Sequence, residues 1–284
     1  MRSIQNLAQF FASHPLTKDA PLKAWGRFAR WQVASRLREE IVMPWVGGQK
    51  LALRRGMSGA TGNLYVGLHE FADMAFVVHF LREGDLFLDI GANVGSFTVL
   101  ASGVARARSF AFEPISGTAR DLKRNIAVNS LEGLASVHEV ALGERDGEVA
   151  MTVGLGPMNA VTTGASAGTR TVRQTTLDAV PGAAEARMMK LDVEGNEENV
   201  LRGAERVLAG TNLQAIEIET LTPASEQTIL RHGFARAYYD PFRHVLAREP
   251  IGPPSSNVLF VRDFAFVEGR VSSAQKIEVL DRMV

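Results

Sequence analysis

Short apolar runs alternate with amphipathic segments from Gly84 onward, and this alternation is typical of a parallel sheet with helices on both faces. The runs predict strands at 86–90, 108–113, 136–140, 187–192, 213–219 and 257–262. The segments between them predict helices at 95–104, 117–129 and 195–208. We therefore expect an α/β fold of the doubly wound kind.

The two ends of the chain are predicted to lie outside this sheet. Residues 1–55 are expected to be mainly helical, with one apolar side that covers the main domain. The residues of that side are Trp25, Phe28, Trp31 and Val33. We divide the chain into an N-terminal helical extension at 1–55, a main domain at 56–265 and a helical C-terminal tail at 266–284.

Two segments in the middle of the chain, 148–153 and 170–175, alternate between apolar and polar residues like a two-stranded ribbon. The stretch 154–169 that joins them is rich in Gly, Ser and Thr. Beside a ligand crevice, such a stretch is either a lid or a plain flexible connection. A lid would use the polar side chains of Asn159, Thr162, Thr163 and Ser166.

The composition excludes several classes of partner. Lys plus Arg and Asp plus Glu both number 31 in 284 residues, so no overall positive field attracts nucleic acid. The absence of Cys excludes disulfides and thiolate metal sites and fits a reducing compartment, with a cytoplasmic location as the default. Because the chain has no run of about 18 apolar residues, we expect no membrane span.

The first predicted strand runs directly into DIGANVG, residues 89–95, a loop with two glycines. This loop is neither the G-x-G-x-x-G of nicotinamide enzymes nor a P-loop. Gly91 and Gly95 leave room for the backbone to approach a ligand, and Asn93 tolerates a positive φ better than most residues. The turn therefore favours a ligand that lies closely against the backbone.

Carboxylates follow the predicted strands at their carboxyl ends, where a doubly wound sheet binds its ligand. They are Asp89, Glu113, Asp192, Glu194, Glu217 and Glu219. Such a rim repels pyrophosphate, which argues against ATP and weakens the case for NADP. It suits S-adenosyl-L-methionine, because Glu113 can accept both ribose hydroxyls and the acids near Asp89 and Asp192 favour a cation. The carboxylate of this ligand would meet the amides at the helix start after Gly95.

Three motifs occur in order along the chain: D-x-G-A-N-x-G, F-E-P and K-x-D-x-E-G-x-E. They lie within the stretches TGNLYVGLHEFADMAFVVHFLREGDLFLDIGANVGSFTVLAS (61–102), FEP (112–114), ALGERDG (141–147), TLD (176–178) and KLDVEGNEENVLRGA (190–204). In this order and at these separations, the sequence closely resembles the FkbM-type S-adenosylmethionine-dependent methyltransferases over about residues 60 to 262.

The resemblance implies a class I methyltransferase fold, with a Rossmann-like, doubly wound, mostly parallel sheet of seven strands. It implies O-methylation of a hydroxyl on a sugar, glycan, glycolipid or polyketide-type acceptor. It also puts Ala141 and Leu142 at the adenine edge and Glu70 within reach of the methionine end of the cofactor. The predicted cofactor-binding residues are Glu70, Asp89, Gly91, Asn93, Gly95, Ser96, Phe97, Glu113, Ala141, Leu142 and Asp192.

Catalysis requires that an acceptor alcohol lose a proton, and a general base typically contributes about 10²–10⁴-fold. Asp192 and Glu194 are the predicted catalytic residues. His69, His232 and His244 are the candidate bases among the histidines, and a histidine from the C-terminal part is the second candidate after the carboxylates. In a rival account, Mg²⁺ is bound by Asp192, Glu194 and Glu219. We predict no metal site, because a cationic cofactor already explains these acids.

Two classes of function stay open. The first is an S-adenosyl-L-methionine-dependent O-methyltransferase that acts on a small-molecule or glycan acceptor, and the second is a cofactor-binding or scaffold protein that methylates nothing. The intact acidic rim favours the enzyme. Methylation of nucleic acid is disfavoured, because KLDVEG follows the fourth strand in place of Asn/Asp-Pro-Pro-Tyr/Phe. Assembly into a homo-oligomer stays open.

Overall fold

A computed structural model describes residues 4–152, 161–162 and 168–284 of the chain. Its strands are β1 (Ile41–Pro44), β2 (Lys50–Leu53), β3 (Leu86–Ile90), β4 (Arg108–Phe112), β5 (Ala135–His138), β6 (Ala141–Leu142), β7 (Gly147–Thr152), β8 (Val161–Thr162), β9 (Thr169–Thr175), β10 (Met188–Leu191), β11 (Ala215–Ile218), β12 (Ala235–Asp240), β13 (Val245–Ala247), β14 (Val258–Val261), β15 (Glu278–Val279) and β16 (Arg282–Met283). Its helices are α1 (Ile4–Ser13), α2 (Pro21–Leu37), α3 (Ser58–Val66), α4 (Phe71–Phe80), α5 (Ser96–Val99), α6 (Ser116–Ala127), α7 (Glu197–Arg202), α8 (Glu205–Ala209), α9 (Pro223–Arg231) and α10 (Phe264–Ser272).

The central sheet has eight strands in the order β13-β12-β14-β11-β10-β3-β4-β5. The five strands from β11 to β5 pair in parallel, and β14, β12 and β13 add antiparallel pairs. Strand order reverses between β3 and β10, so the carboxyl ends of these two strands border a crevice. The predicted doubly wound, mostly parallel fold is confirmed. The sheet has eight strands rather than seven, because β13 adds a short edge beside β12.

The central strands lie within one or two residues of their predicted ends, and β3 matches the prediction at both ends. These strands could be predicted from the sequence because strands buried on both faces form nearly continuous apolar runs. On one face, side chains from β3, β10 and β11 pack against α4, α5 and α10. On the other face, the alternate side chains of the same strands pack against α7, α8 and α9.

The predicted helices differ from the observed ones in detail. The segment 95–104 is α5 followed by a π-helical turn at Leu100–Val104. The segment 195–208 is two helices, α7 and α8, which meet near Gly203. A Cβ at Gly203 would lie 2.0 Å from the carbonyl oxygen of Gly143, so close packing against that loop interrupts the helix. Sequence periodicity alone does not register this contact.

The N-terminal region is less helical than predicted. After α1 and α2, the chain forms the antiparallel hairpin β1–β2 through a turn in which Gly47 and Gly48 have φ of 61° and 77°. The hairpin is bound to α6 and the residues just after it by two asparagines: the amide of Ala52 donates to Asn125 Oδ1 and the amide of Lys50 donates to Asn129 Oδ1, both at 2.7 Å. Pairing with distant residues, rather than local periodicity, determines this structure.

One residue of the predicted apolar side of α2 was misplaced. Trp31 is buried, and Trp25 and Phe28 are partly buried beside Phe11 in an apolar cluster with α1 and α3. Val33 is instead 63% exposed, because two residues of a helix separate it from Trp31 by about 200°. The helix therefore has a second apolar face that points away from the protein.

The middle and the end of the chain complete the fold. β7 and β9 pair antiparallel, as predicted for the ribbon at 148–153 and 170–175. The proposed lid at 154–169 lies mostly outside the described residues.

The C-terminal segment is α10 followed by the hairpin β15–β16, and is thus only partly helical. The division at 55 and 265 stays a prediction. None of the helices in the described part of the chain combines the length and apolar character needed to cross a membrane.

Candidate active site

The turn after β3 has three positions in the left-handed region. Gly91, Asn93 and Gly95 have φ of 82°, 50° and 87°. A Cβ at Gly91 would lie 1.7 Å from the carbonyl oxygen of Asp192, so a side chain there is excluded by the backbone that follows β10. The amides of Gly91 and Ala92 both donate to the carbonyl of Phe112. The turn is thus fixed between the ends of β4 and β10.

Glu113 follows β4 and is buried beside this turn. Its carboxylate accepts hydrogen bonds from the amide of Asn93 at 3.2 Å and from the amide of Ile115 at 2.9 Å. Burial raises the pKa of Glu113 to about 7, against the lowering effect of these two amides. A carboxylate accepts up to about four hydrogen bonds, so Glu113 retains acceptor capacity for a ligand.

Asp89, Lys190 and Glu217 form a row across three neighbouring strands, because Lys190 is in register with Asp89 on β3 and with Glu217 on β11. All three side chains are buried on the face that packs against α4. Asp89 accepts from the hydroxyl of Thr98 at 2.5 Å, which ties β3 to α5. Burial raises the pKa of Asp89 to about 6, partly offset by Lys190.

Lys190 is 2% exposed and was not predicted as a site residue from the sequence. Its Nζ donates to Asp192 Oδ2 at 2.6 Å and lies 4.4 Å from the centre of the Phe97 ring. Burial disfavours the charged ammonium, but the carboxylates of Asp192, Glu70 and Asp89 outweigh burial and raise the pKa of Lys190. The available signal was a lysine inside the apolar run MMKL (188–191), since lysine is almost never fully buried without a partner.

A second group of acids lies near Lys190 and consists of Glu70, Asp73 and Glu217. Asp73 on α4 accepts from the Ser255 hydroxyl and from the amide of Ser256 at 3.0 Å. Asn257 donates to Glu70 at 2.9 Å. Glu217 Oε2 has no hydrogen-bond partner among the residues that the structure describes. Burial raises the pKa of Asp73 to about 6 and that of Glu217 well above its usual value.

Three carboxylates meet at the ends of β10 and β11. Asp192, Glu194 and Glu219 each place an oxygen within 4.8 Å of the others, which is close enough for all three to contact one divalent cation. Burial opposes ionisation of Asp192, but the charge of Lys190 and the hydrogen bond with Glu219 lower its pKa. Burial and Asp192 raise the pKa of Glu219 to about 8. At neutral pH, Asp192 is therefore ionised and Glu219 retains its proton.

One space lies at these strand ends, and we call it the strand-end cavity. Its volume is about 1040 Å³. Its lining includes the predicted residues Glu70, Asp89, Gly91, Asn93, Ser96, Phe97, Glu113, Ala141, Leu142, Asp192 and Glu194. Gly95 lies at the base of the turn instead, where a Cβ would be 2.3 Å from Leu122. The structure thus brings ten predicted cofactor residues and both predicted catalytic carboxylates together around a single cavity.

Other lining residues were not predicted as part of the site. Asn63 on α3 donates to Ser96 Oγ at 3.1 Å, and Asn196 donates to the carbonyl of Leu142 at 3.2 Å. Phe10, Phe28 and Trp31 of the N-terminal helices form another part of the wall. Asn63 and the three aromatic residues reach the cavity only through the packing of α1, α2 and α3, whereas Asn196 lies inside the motif that follows β10 and could have been found there.

The three candidate histidines lie in different places. His69 lines the strand-end cavity, and its ring is 5.3 Å from that of Phe10. His232 Nε2 lies 3.3 Å from a carboxylate oxygen of Glu205. The His244 ring packs against that of His79, with centroids 4.3 Å apart. Of the three, His69 has the position of a candidate base.

The sheet order, the reversal at β3 and β10, and the acidic cavity at that point define the Rossmann-like fold of class I methyltransferases. The model of the methyltransferase FkbM domain matches residues 89–248, and the chain belongs to this family. The resemblance seen in the motifs is confirmed.

Several known proteins are similar to the chain. The hexuronic acid methyltransferase AglP of Haloferax volcanii is 27% identical over 140 residues, which is 48% of this chain and 57% of that protein. The chain thus spans little more than half of this relative. Methyltransferase FkbM of Methylobacillus flagellatus has a TM-score of 0.43 and 16% identity, over 64% of this chain and 44% of that one. A TehB-like SAM-dependent methyltransferase of Corynebacterium glutamicum has a TM-score of 0.43 and 10% identity, over 72% and 95%.

Proposed function

We propose that the chain binds S-adenosyl-L-methionine in the strand-end cavity and transfers its methyl group to a hydroxyl of a sugar, glycan, glycolipid or polyketide-type acceptor. The observation that carries this proposal is the placement of Glu113 and Asp192 in one cavity, on opposite sides of the strand reversal. Ribose recognition uses a carboxylate at the position of Glu113. A carboxylate at the position of Asp192 favours a bound cation.

The residues around the turn fit this cofactor. Glu113 is the acceptor for the ribose hydroxyls, and the backbone of Ala141 and Leu142 borders the adenine. Asp89 and Asp192 supply the negative potential for the ammonium and sulfonium groups. The open turn formed by Gly91, Asn93 and Gly95 allows backbone contact, and the start of α5 at Ser96 and Phe97 offers amides to the carboxylate. When bound, the cofactor supplies an electrophilic methyl group.

The carboxylates at the end of β10 are proposed to accept the proton of the acceptor hydroxyl. Asp192 is ionised and is held in place by Lys190 at 2.6 Å. Burial and the charge of Asp192 raise the pKa of Glu194, which makes Glu194 the stronger base of the two. Glu219 retains a proton beside Asp192 and orients it. His69 is the second candidate, because it lines the same cavity.

The outer wall of the cavity supports an acceptor of the sugar type. Phe28 and Trp31 offer apolar ring surfaces, and Gln32 and Ser35 offer hydrogen bonds. The relative that is named a hexuronic acid methyltransferase supports the same class of acceptor.

The alternative is a protein that binds the cofactor and methylates nothing. It predicts that the cavity binds S-adenosyl-L-methionine while no acceptor gains label. Incubation with labelled S-adenosyl-L-methionine and fractionated glycans, glycolipids and small metabolites separates the two functions. Label in one chemical fraction supports the enzyme, and binding without label in any fraction supports the alternative.

Calorimetry tests the cofactor assignment. S-adenosyl-L-methionine or its demethylated product should bind, whereas NAD and ATP should not. Glu113→Gln should weaken binding about 10–100-fold, because it removes a charge-assisted hydrogen bond of about 1.5–3 kcal/mol. Glu132→Gln is the matched control, since Glu132 is exposed in the loop after α6. Equal affinity for the wild type and Glu113→Gln would contradict the role of Glu113, and binding of NAD would contradict the cofactor.

A further inference from the structure

Helix α2 carries an apolar stripe that faces away from the protein. Leu22, Val33 and Leu37 are 82%, 63% and 79% exposed, and the exposed small residues Gly26 and Ala29 lie between them. The positions 22, 26, 29, 33 and 37 follow one face of a helix. Three large apolar side chains that share one exposed helix face with only small residues between them, rather than being scattered singly, indicate a surface that another phase or molecule covers.

The stripe is flanked by cations. Lys23 and Arg30 lie on one side of it and Arg36 on the other, and all three are exposed. No acidic residue occurs between 21 and 37. Lys23 Nζ lies 2.5 Å from Asp281, but both side chains are well exposed and such a pair is weak in water. The face of α2 is therefore apolar along its centre and basic along its edges.

An apolar groove continues from this stripe. It has a volume of about 1250 Å³ and lies between α2, the β1–β2 hairpin and the β15–β16 hairpin. Val33 and Leu37 form one wall, and Met43 and Leu280 belong to the others. Arg38 lines the groove together with Arg27 and Arg30, whereas one acid, Glu278, is among its lining residues. The apolar surface is thus wider than a single helix face and carries excess positive charge.

α2 also forms a wall of the strand-end cavity. Trp31 lines both the cavity and the groove, and Arg36 lines the cavity from the same helix. Because an α-helix is about 10–12 Å across, the exposed stripe lies about one helix diameter from the cavity. An occupant of the stripe would therefore sit on the other side of α2 from the strand-end cavity.

We propose that α2 docks this protein onto the surface of an anionic lipid bilayer, with Leu22, Val33 and Leu37 among the acyl chains and Arg30 and Arg36 at the phosphates. Basic amphipathic helices bind membrane interfaces in this way, because long cationic side chains reach the headgroups while apolar ones enter the boundary. The proposal goes beyond the function proposed above and does not depend on it. Its consequence is that acceptors anchored in the membrane are presented beside the cavity.

The cations beside the stripe favour a membrane over a second copy of the chain as its occupant. A two-fold contact would bring the same stripe of both copies together, so Arg30 and Arg36 of one copy would face the same cations of the other. An anionic bilayer instead attracts each of these cations, which contributes about fivefold per residue to partitioning. The basic edges therefore favour the bilayer.

Vesicle flotation with the full chain tests the proposal. The wild type should float with vesicles of phosphatidylcholine that contain about 30% phosphatidylglycerol, and at least about tenfold less with phosphatidylcholine alone. About 0.5 M NaCl should weaken binding. Val33→Glu with Leu37→Glu should abolish flotation, and Arg30→Gln with Arg36→Gln should reduce it about 25-fold. Leu230→Glu, at an exposed apolar position on α9, should bind like the wild type.

Each further outcome has a definite meaning. Unchanged circular dichroism and thermal unfolding of the variants show that they fold, as their exposure predicts. A wild type that does not float, or that floats equally with neutral vesicles, would overturn the proposal. So would flotation that Val33→Glu with Leu37→Glu leaves intact. If light scattering after gel filtration finds a dimer that this double variant dissociates, the stripe is an interface between copies instead.

Discussion

Glu217→Gln should make the protein more stable, by an amount that increases with pH. Glu217 is buried on β11 beside Lys190, and Asp73 and the other acids behind it disfavour a further negative charge. Burial raises the pKa of Glu217 well above its usual value, so the folded state retains a proton that the unfolded state has lost. The stability that Glu217 contributes is complete below about pH 4.3 and is lost as pH rises toward the folded-state pKa.

The magnitude follows from this linkage. While the folded state holds this proton and the unfolded state has lost it, the wild type loses up to about 1.4 kcal/mol of stability for each pH unit above about 4.3. Gln is neutral at every pH and avoids this cost. Its amide adds an unpaired buried donor at the position of Glu217 Oε2, which costs about 1–3 kcal/mol at every pH. We therefore expect Glu217→Gln to gain stability relative to the wild type as the pH rises and to exceed it once the pH-dependent cost is larger than this constant one.

Urea unfolding at about pH 6, 7 and 8 measures the effect. The difference between Glu217→Gln and the wild type should increase with pH, by at most about 1.4 kcal/mol per pH unit. The exposed control Glu132→Gln should change stability by less than about 0.5 kcal/mol at each pH. A variant that is less stable than the wild type by the same amount at all three pH values would refute the reasoning. It would mean that Glu217 is ionised in the folded state and paired with Lys190.

Other substitutions test the rest of the site. Gly91→Ala should lower the thermal unfolding temperature sharply, because its Cβ would meet the Asp192 carbonyl oxygen at 1.7 Å, whereas Gly117→Ala in open space on α6 should be neutral or slightly stabilising. Lys190→Met should cost about 3–5 kcal/mol in urea unfolding near neutral pH and less at acid pH, where the surrounding carboxylates take up protons; an equal cost at both would contradict the charge argument. If Glu194 acts as the stronger base, Glu194→Gln should lower turnover by about 10²–10⁴-fold while wild-type activity survives a chelator. Loss of activity with the chelator and its return with Mg²⁺ would assign this carboxylate to a metal instead.

The central fold and the positions of the acids could be predicted from the sequence. β3 lies between Gly84 and Gly91 as an apolar run interrupted by Asp89, and its ends are those predicted. Because parallel strands end at the same edge of a sheet, acids placed after separate strands meet there. Glu113 and Asp192 are 79 positions apart in the numbering and line the same cavity. Strand periodicity and the rule for strand ends were sufficient for this much.

The remaining features depend on contacts between distant residues. The β1–β2 hairpin has no strong local pattern and is fixed by Asn125 on α6 and by Asn129, two residues after that helix. The charge state of Asp192 depends on Lys190 and Glu219, whose combined effect needs their actual distances and burial. The spacing of Val33 with Trp31 suggested one apolar side, but only the packing of α1 and α3 shows which side of α2 is covered. Local sequence determines which residues can form a strand, a turn or an apolar face. Tertiary structure alone decides which face is buried and which charges share a desolvated space, because both depend on neighbours that the chain brings together from far apart.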